Sequence, residues 1–478
     1  GQSDGGHFYT VNGAAWNAGS VSNSVHTAAV AGDTIGVTVD FDASQIKWYL
    51  NGVLDYTVTL NTNIINNGFV WALANYTTST VKANFGQKPF SYTPPDGFQP
   101  LSASSTIPDD VISRPDQFFA VTKYDGNTDS SQDINVGFAP DLVWQKIYNQ
   151  AGDHALTDTV RGVNAGYLQS EDADKEKGNA NDGISAFLSN GFRAYNSFNN
   201  NGLNWVSWCW KAGGSGSDPF YIDDVGYATA AAAGLDNGSE ITPIGASIGT
   251  KQGFSIITYT STNSNTTVTH GLTQKPDFAI FKNRDSTLGI NEVDWGVYHS
   301  GLGATKCLEL NQTLAEQTFG GPFNNTEPTT TKFTLGTGGH SYLTNGPSGD
   351  KFVAYIWHNV PGLQKFGTYL GTGSGSNAPF IDCGFEPAMV WMKAAVGGTG
   401  NWVIIDNTRP GYNSELQTLC TNLNNGHNAS GGTTNDILSN GFKIRGSSDR
   451  NASNVTYIYC AWAASPFSNL YGAQSNAR

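Results

Sequence analysis

Methionine is nearly absent from this chain: there are two in 478 residues. Charged residues reach only 13%, and helix-forming Glu, Lys and Leu are sparse. Sustained heptads and long amphipathic helices are excluded on that basis. No run of 18 apolar residues occurs, so a helical membrane span is excluded as well. Positive charge is scarce: 25 Lys and Arg stand against 39 Asp and Glu, for a net charge of −14. An acidic chain repels a phosphate backbone, and no Lys/Arg cluster with interleaved aromatics offsets it, so nucleic acid is a poor partner. The acidity keeps a Gly/Asn-rich surface in solution and would suit a salty medium.

Motifs of chemistry are missing too. The five cysteines (Cys209, Cys307, Cys383, Cys420, Cys460) are odd in number and contain no C-x-x-C pair, which argues against zinc and redox sites. Cys209 and Cys460 sit in apolar runs as small hydrophobes; one or two disulfides stay open, with no pairing assigned. The histidines (His7, His26, His154, His270, His299, His340, His358, His427) form no H-x-H or H-x₃-H pair with a nearby acid. There is no G-x-S-x-G, no Walker loop and no G-x-G-x-x-G between a strand and a helix. The expectation is a protein that is not an enzyme, with no catalytic, cofactor-binding or metal residue and no cofactor.

What is abundant is glycine, at 57 residues, and aromatic side chains, at 12%. That mix fits many short strands joined by tight turns, with Trp, Tyr and Phe filling thin sandwich cores. Near the N-terminus, Val37, Val39 and Phe41 alternate with Thr38 and Asp40, and Ile46, Trp48 and Leu50 alternate with Lys47 and Tyr49. This period of two predicts a pair of strands, followed at Asn51-Gly52 by a turn whose residues tolerate positive φ. Further on come Asn84-Phe-Gly-Gln-Lys-Pro-Phe90 and Tyr92-Thr-Pro-Pro-Asp-Gly-Phe98. Together, Gly32-Asp-Thr-Ile-Gly-Val37, Trp48-Tyr-Leu-Asn-Gly52 and the 84–90 segment, read as a closing strand, resemble the SPRY domain, a concanavalin-like β-sandwich. The resemblance covers about residues 1–100. The family's first strands have no counterpart, so they lie upstream in a longer precursor or another segment completes the sandwich. The resemblance implies peptide or protein binding by loops at one rim, without catalysis, and it carries over no residue.

The remainder repeats. Three segments share an aromatic strand (from Phe118, Phe254 and Phe366), a corner proline (Pro140, Pro276, Pro387), a short apolar strand carrying a lysine (Lys146, Lys282, Lys393), and a closing strand that ends on Trp210, Trp357 and Trp462. Leu188-Ser-Asn-Gly-Phe192 and Leu438-Ser-Asn-Gly-Phe442 are identical. Asp158-Thr-Val-Arg161 resembles Asp406-Asn-Thr-Arg409; the second copy has Val297-Tyr-His-Ser-Gly301 there instead. The expected organisation is all-β: an incomplete SPRY-like sandwich (1–104), then three tandem jelly-roll-like β-sandwich units at 105–214, 253–362 and 363–478. A linker or insert at 215–252 opens on the flexible composition Gly213–Ser217. This grammar resembles a module of tail and virion-associated proteins of marine bacteriophages, cyanophages in particular. The motifs carrying that resemblance are Pro140-Asp-Leu-Val-Trp144, Asp158–Gly162, Ser189-Asn-Gly-Phe192, the Trp208–Gly214 exit and the tract Gly245–Tyr259. It covers about residues 116–468 and implies no chemistry.

Few residues compete for a site. Asp125-Gly-Asn-Thr-Asp129 looks like half a calcium loop, yet Ser130 and Val136 stand where an EF-hand needs Gly and Glu, which leaves a solvated hairpin turn. Asp40 and Asp42 share a strand face, as paired carboxylates of a glycosidase do, but at an ordinary strand end. Asp158/Arg161 and Asp406/Arg409 read as a local ion pair or turn brace, with a ligand-binding arginine as the alternative. Trp48, Trp144, Trp210, Trp357, Trp391 and Trp462 are expected in the core. Tyr195, Phe198 and Tyr412, in Asn-rich loops, are the aromatics suited to glycan or protein contacts, or are plain surface rings.

The reading that follows is a bacteriophage virion structural protein: a tail-fibre or appendage segment with a host-surface adhesion role, located on the virion or extracellular. A secreted bacterial adhesin or filament subunit is the first alternative and a polysaccharide depolymerase the second. The partners implied are a host cell-surface glycan or protein, other virion proteins and further copies of the chain, a homotrimer above all, with no nucleic acid and no membrane. The receptor-binding residues are unknown.

Overall fold

The structure is a computed structural model. It describes residues 7–10, 13–17, 20–22, 25–40, 43–60, 81–85, 88–98, 100, 112–177, 183–236, 241–285, 293–409, 413, 417–427, 435–447 and 449–466. The chain divides into two units, Gly1–Pro108 and Asp109–Arg478. No helix among the described residues is long and apolar enough to cross a membrane.

In the first unit the strands Ile35–Asp40, Gln45–Leu50 and Val53–Thr59 form an antiparallel meander in that order. The period of two sends Ile46 and Trp48 to one face, where they pack with Val58 and Leu60. Leu50 pairs directly with Val53, so Asn51-Gly52 is a two-residue turn, with φ of +51° and +83°. Positive φ at both positions is what a type I′ hairpin requires. Phe41 and Asp42 lie outside the described residues. The expected closing strand over 84–90 is corrected: its described residues form no strand. Asn84 instead folds the segment on itself, accepting from the Lys88 backbone N–H at 3.3 Å and donating to the Lys88 and Pro89 carbonyls at 3.1 and 3.3 Å. Pro89 lacks the N–H a ladder needs.

The second unit holds three modules of one plan. The main sheet of the first module runs His154–Asp158, Leu142–Ile147, Asn204–Trp210, Phe119–Asp125, all antiparallel. In the second it is Gly296–His299, Phe278–Asn283, Lys351–Trp357, Phe254–Thr260. In the third it is Val403–Asp406, Phe385–Val396, Thr456–Pro466, Gln364–Leu370. Each is covered on one face by a smaller sheet: Gly183–Leu188, Gly191–Tyr195 and Ser131–Asn135 in the first; Thr266–Thr269 and Lys332–Leu335 in the second; Asn435–Leu438, Gly441–Ile444 and Phe380–Asp382 in the third. The β-sandwich class read from the sequence therefore holds in all three.

The stretch 215–252 is an insert and not a linker. Gly245–Gly249 pairs with Phe254–Thr260, and Phe220–Ile222 and Val225–Tyr227 extend the second module's sheet further. The glycine-rich start is fixed in place: a Cβ on Gly213 would lie 2.3 Å from the Ile248 nitrogen, and the Gly213 N–H donates to the Ser247 hydroxyl at 3.0 Å. Glycine serves here for close approach of backbones, which composition alone does not distinguish from flexibility.

The other face of each main sheet is also buried. In Asn204–Trp210, Trp205 and Cys209 face the small sheet of their own module, while Val206, Trp208 and Trp210 enter a core common to all three modules. Val353, Tyr355 and Trp357 do the same for the second module, and Ile458, Cys460 and Trp462 for the third. That is why the closing strands are continuous apolar runs rather than alternating ones. At the centre the three closing tryptophans form a triangle, with ring centroids 6.2 Å (Trp210–Trp357), 5.5 Å (Trp210–Trp462) and 6.0 Å (Trp357–Trp462) apart.

Candidate functional site

Around this triangle the three inter-module junctions repeat one set of contacts. Register places Lys146, Lys282 and Lys393 at equivalent positions, two residues beyond Trp144, Ile280 and Trp391 on the face turned to the neighbours. Each ammonium is buried and caged by carbonyls, with no carboxylate of the described residues within ion-pair distance. Lys146 donates to Asn424 in the third module at 3.1 Å, Lys282 to Ala173 in the first at 2.8 Å, and Lys393 to Thr313 and Leu314 in the second at 3.2 and 2.7 Å. Burial pulls Lys282 down to about 7 and Lys146 and Lys393 to about 8.

Beside each lysine, at the start of the adjacent strand or the residue just before it, stands a ring with an N–H: His154, Trp295 and Trp402. They donate to the carbonyls of Cys420, Gln169 and Glu309 at 3.0, 2.9 and 3.0 Å, in the same cyclic sense as the lysines. The tautomer of His154 follows, because its Nδ1 accepts from the Trp144 indole at 2.9 Å, so Nε2 carries the proton. The backbone N–H of each ring residue is met by a side-chain oxygen: Glu171 for His154 at 2.9 Å, Asn311 for Trp295 at 3.1 Å, Asn422 for Trp402 at 2.9 Å. Burial pushes Glu171 up to about 8, and a protonated Glu is the closest mimic of the Asn in the other two copies.

The Asp/Arg motif belongs to these junctions as well. Asp158 accepts the Arg161 backbone N–H at 2.8 Å and the guanidinium at 2.5 Å; Asp406 and Arg409 repeat this at 2.9 and 2.6 Å. In the second module His299 takes the place of the aspartate, and its Nδ1 accepts the Gly301 N–H at 3.0 Å. The brace read from the sequence is therefore present in the first and third modules, which carry it, and a neutral ring performs the turn-closing part in the second. Arg161 reaches the Leu156 carbonyl at 2.8 Å as Arg409 reaches that of Ile404 at 3.4 Å, and goes further to meet Glu176 at 2.5 Å, while the Tyr355 hydroxyl of the second module donates to Asp158 at 2.8 Å.

Inside the sandwiches a second repeated clamp marks where the copies part. Tyr124, Tyr259 and Tyr369 stack on Trp205, Phe352 and Tyr457 at 6.0, 5.3 and 5.0 Å. Their hydroxyls donate to the carbonyls of Phe198, Thr344 and Arg450 at 2.9, 2.5 and 2.9 Å. The next residue is asparagine in every copy. Asn199, Asn345 and Asn451 donate to the carbonyls of Asp129, Ser264 and Ser374 at 2.9, 2.8 and 3.1 Å. Before that asparagine the side chain varies. Phe198 plugs its sandwich, stacked on Trp205 at 5.1 Å and edge-on to Tyr167 at 5.2 Å. Thr344 is buried and bonded to the Pro322 carbonyl at 2.6 Å. Arg450 opens onto a cavity of about 310 Å³ shared with Met392, Asn401, Asn425, Asp449 and Tyr457.

The region that contains all of this, residues 114–466 of 478, matches a protein family described as a domain of unknown function, DUF7483. The chain belongs to the DUF7483 family. No curated protein and no solved structure matches it. The match begins just before the first module's opening strand and ends with the last strand of the third. The DUF7483 unit is thus the three-module body as a whole, and not a single repeat of it.

Other residues singled out from the sequence fall at different places in this body. Trp144, Trp210, Trp357, Trp391 and Trp462 are core, and Trp48 is core in the first unit. Phe198, read as a loop aromatic free for a partner, is corrected to a core plug. Tyr195 is half-buried on a strand, and Tyr412 lies outside the described residues. The Asp125–Asp129 loop is stapled by Asn199, whose amide donates to Asn127 at 2.8 Å. The five cysteines form no disulfide; burial pushes Cys420 up to about 11 and Cys307 to about 12. Among the described residues no His/Cys/Asp/Glu group is arranged to hold a metal. Arg450 was not singled out: a lone Arg in Asp449-Arg-Asn-Ala452 stands out only once Tyr369 and Asn451 are superposed on Tyr124 and Asn199.

Proposed function

We propose that this DUF7483 chain is a virion structural protein of a bacteriophage, an appendage or tail-fibre segment that presents a rigid body to the host surface, and that it is not an enzyme. The observation that carries the reading is the use of buried polar groups in the body. Lysines, indoles, an imidazole and ion pairs that elsewhere serve catalysis are spent here on holding three modules of one chain to a common core. Among the described residues that line the cavity beside Arg450 there is one carboxylate, Asp449, where glycoside hydrolysis uses two. The thiols of Cys209, Cys307, Cys383 and Cys460 are buried, and burial raises the pKa of all five cysteines, which disfavours a thiolate nucleophile. The motif resemblance to marine-phage virion proteins supports the same reading. Labelling of particles by antibody against this protein, viewed by electron microscopy, tests it: label on the tail or its appendages is expected. Label confined to secreted filaments of a bacterium would transfer the chain to the adhesin reading, and release of saccharide from host envelope glycan would overturn the non-enzyme reading.

Threefold closure, which a fibre trimer obtains from three chains, is reached here by three modules of one chain. A homotrimer of whole chains would use other surfaces. A solution mass at three times 50.9 kDa supports that assembly, and a mass of 50.9 kDa overturns it.

A further inference from the structure

We propose that the cavity beside Arg450 in the third module is a binding site for a single carboxylated sugar of the hexuronate class. Three observations carry it. The three modules are built alike around the Tyr–Asn clamp, yet only the third replaces the plugging side chain by a long cation: Phe198 and Thr344 are satisfied where they stand, and Arg450 is not. Arg450 is 7% exposed, its Nε is fully buried, and its guanidinium forms no hydrogen bond or ion pair with the described residues. A buried, unpaired guanidinium is costly, and a planar carboxylate accepting two of its N–H groups is the partner that its fork fits. The cavity, at about 310 Å³, stands at the small end of ligand pockets, which span roughly 300–1,000 Å³. That is room for one ring and not for a polymer threaded through.

The rest of the lining selects the class. Asp449, Asn401, Asn425 and Thr399 offer acceptors and donors suited to ring hydroxyls. Met392 and the Tyr457 ring offer apolar surface to C–H groups. The Tyr457 hydroxyl is already engaged, donating to the Asp449 carbonyl and accepting from the Ala452 N–H at 3.1 Å, so Tyr457 contributes its ring and not its oxygen. Asp449 beside Arg450 disfavours a doubly charged phosphate and suits a singly charged ligand that also carries hydroxyl donors. This inference stands on the pocket alone and is tested independently of the virion reading.

The test is isothermal titration of the full chain with glucuronate, glucose, acetate and inorganic phosphate. Saturable glucuronate binding is expected, with glucose and acetate each weaker by about tenfold or more, since each keeps only half of the recognised groups. Arg450→Phe, which copies the first module's plug, is expected to abolish glucuronate binding while the melting temperature is kept or raised. Should that variant fail to fold, Arg450→Met in folded protein carries the same expectation. Glucuronate bound equally by the wild type and the folded variant would overturn the site. Acetate or phosphate bound as tightly as glucuronate would overturn the sugar assignment, and absence of any saturable binding in the folded wild type would overturn both.

Discussion

Trp210 and Trp462 meet edge to face with ring centroids 5.5 Å apart, although one closes the first module and the other the third. Each also touches Trp357. No module owns this core: removing any one closing strand would strip apolar cover from the other two. The three modules should therefore unfold as one cooperative transition, unlike tandem domains on a linker. Trp462→Ala is expected to cost about 3–5 kcal/mol, as large-to-small changes in a core do, and to lower the transition of all three modules together. Calorimetry with a Trp fluorescence trace checks this. A separate low-temperature transition confined to the third module would contradict the shared core.

The buried lysines make a prediction about pH. Lys282 is held down at about 7, and Lys146 and Lys393 at about 8, by burial. An unfolded lysine titrates near 10.4, so between about pH 7 and 10.4 the unfolded chain binds more protons than the folded one. Stability from this source is fully present above the unfolded value, falls as pH drops through that window and reaches its floor below about 7. Lys282→Met removes the titration. The free-energy difference between wild type and variant is therefore expected to move in favour of the wild type from pH 6 to 10, by at most about 1.4 kcal/mol per pH unit. A difference independent of pH in urea melts would show that Lys282 keeps an ordinary pKa in the folded protein.

Much of the plan was legible in the sequence, because the features that repeat are the ones packing demands. Corner prolines, strand lysines and closing tryptophans mark the sheets, and period two marks the hairpin at Asn51-Gly52. The shared core was not legible. An apolar run such as Trp205–Trp210 says that both faces are covered without saying by what, and two sandwiches in one chain look the same whether they touch or not. The 215–252 stretch stayed open between linker and insert because glycine permits both flexibility and close approach, and only Ile248 against Gly213 decides between them. Phe198 was misread because its neighbours, Asn199 to Asn201, look like solvent-exposed loop. The junction rings were hidden by chemistry: His154, Trp295 and Trp402 share a role through an N–H that no residue-type alignment would group. Arg450 was hidden for the opposite reason, since one arginine on a Gly/Ser/Asn-rich turn carries no pattern of its own.

Gly52 tests the first unit by itself. Its φ of +83° is one that L side chains rarely adopt, and an added Cβ would lie 2.6 Å from Cδ1 of Tyr92. Tyr92 is half-exposed and can swing aside, so the backbone term dominates. Gly52→Ala is expected to cost about 1–2 kcal/mol in the Gly1–Pro108 unit and nothing in the three-module body. Hydrogen exchange of the Gln45–Thr59 amides reads the first effect, and the calorimetric transition of the body reads the second. Faster exchange that extends into Asn204–Trp210 would contradict an effect confined to the first unit.

Arg161 tests why the second module can do without its counterpart. Burial alone would depress its pKa, but Asp158, Tyr355 and Glu176 outweigh it and hold the guanidinium charged. Glu176 in turn binds Arg284 of the second module at 2.7 Å, so the network spans a junction. Removing the cation strands the buried Asp158 carboxylate and leaves Glu176 to Arg284 alone, and Arg161→Leu is expected to cost about 3–5 kcal/mol. The second module carries Leu302 at this position, and its turn is closed by His299, a ring that burial holds neutral, with a pKa of about 4. Copying that solution into the first module removes the stranded carboxylate. The double variant Asp158→His, Arg161→Leu is therefore expected to be more stable than Arg161→Leu alone, with a coupling energy of about 1–3 kcal/mol across the full cycle. Chemical denaturation of the two variants and of Asp158→His closes the cycle. Additive costs would mean that the aspartate and the arginine stabilise the turn independently, and that the histidine of the second copy is not the reason its arginine is dispensable.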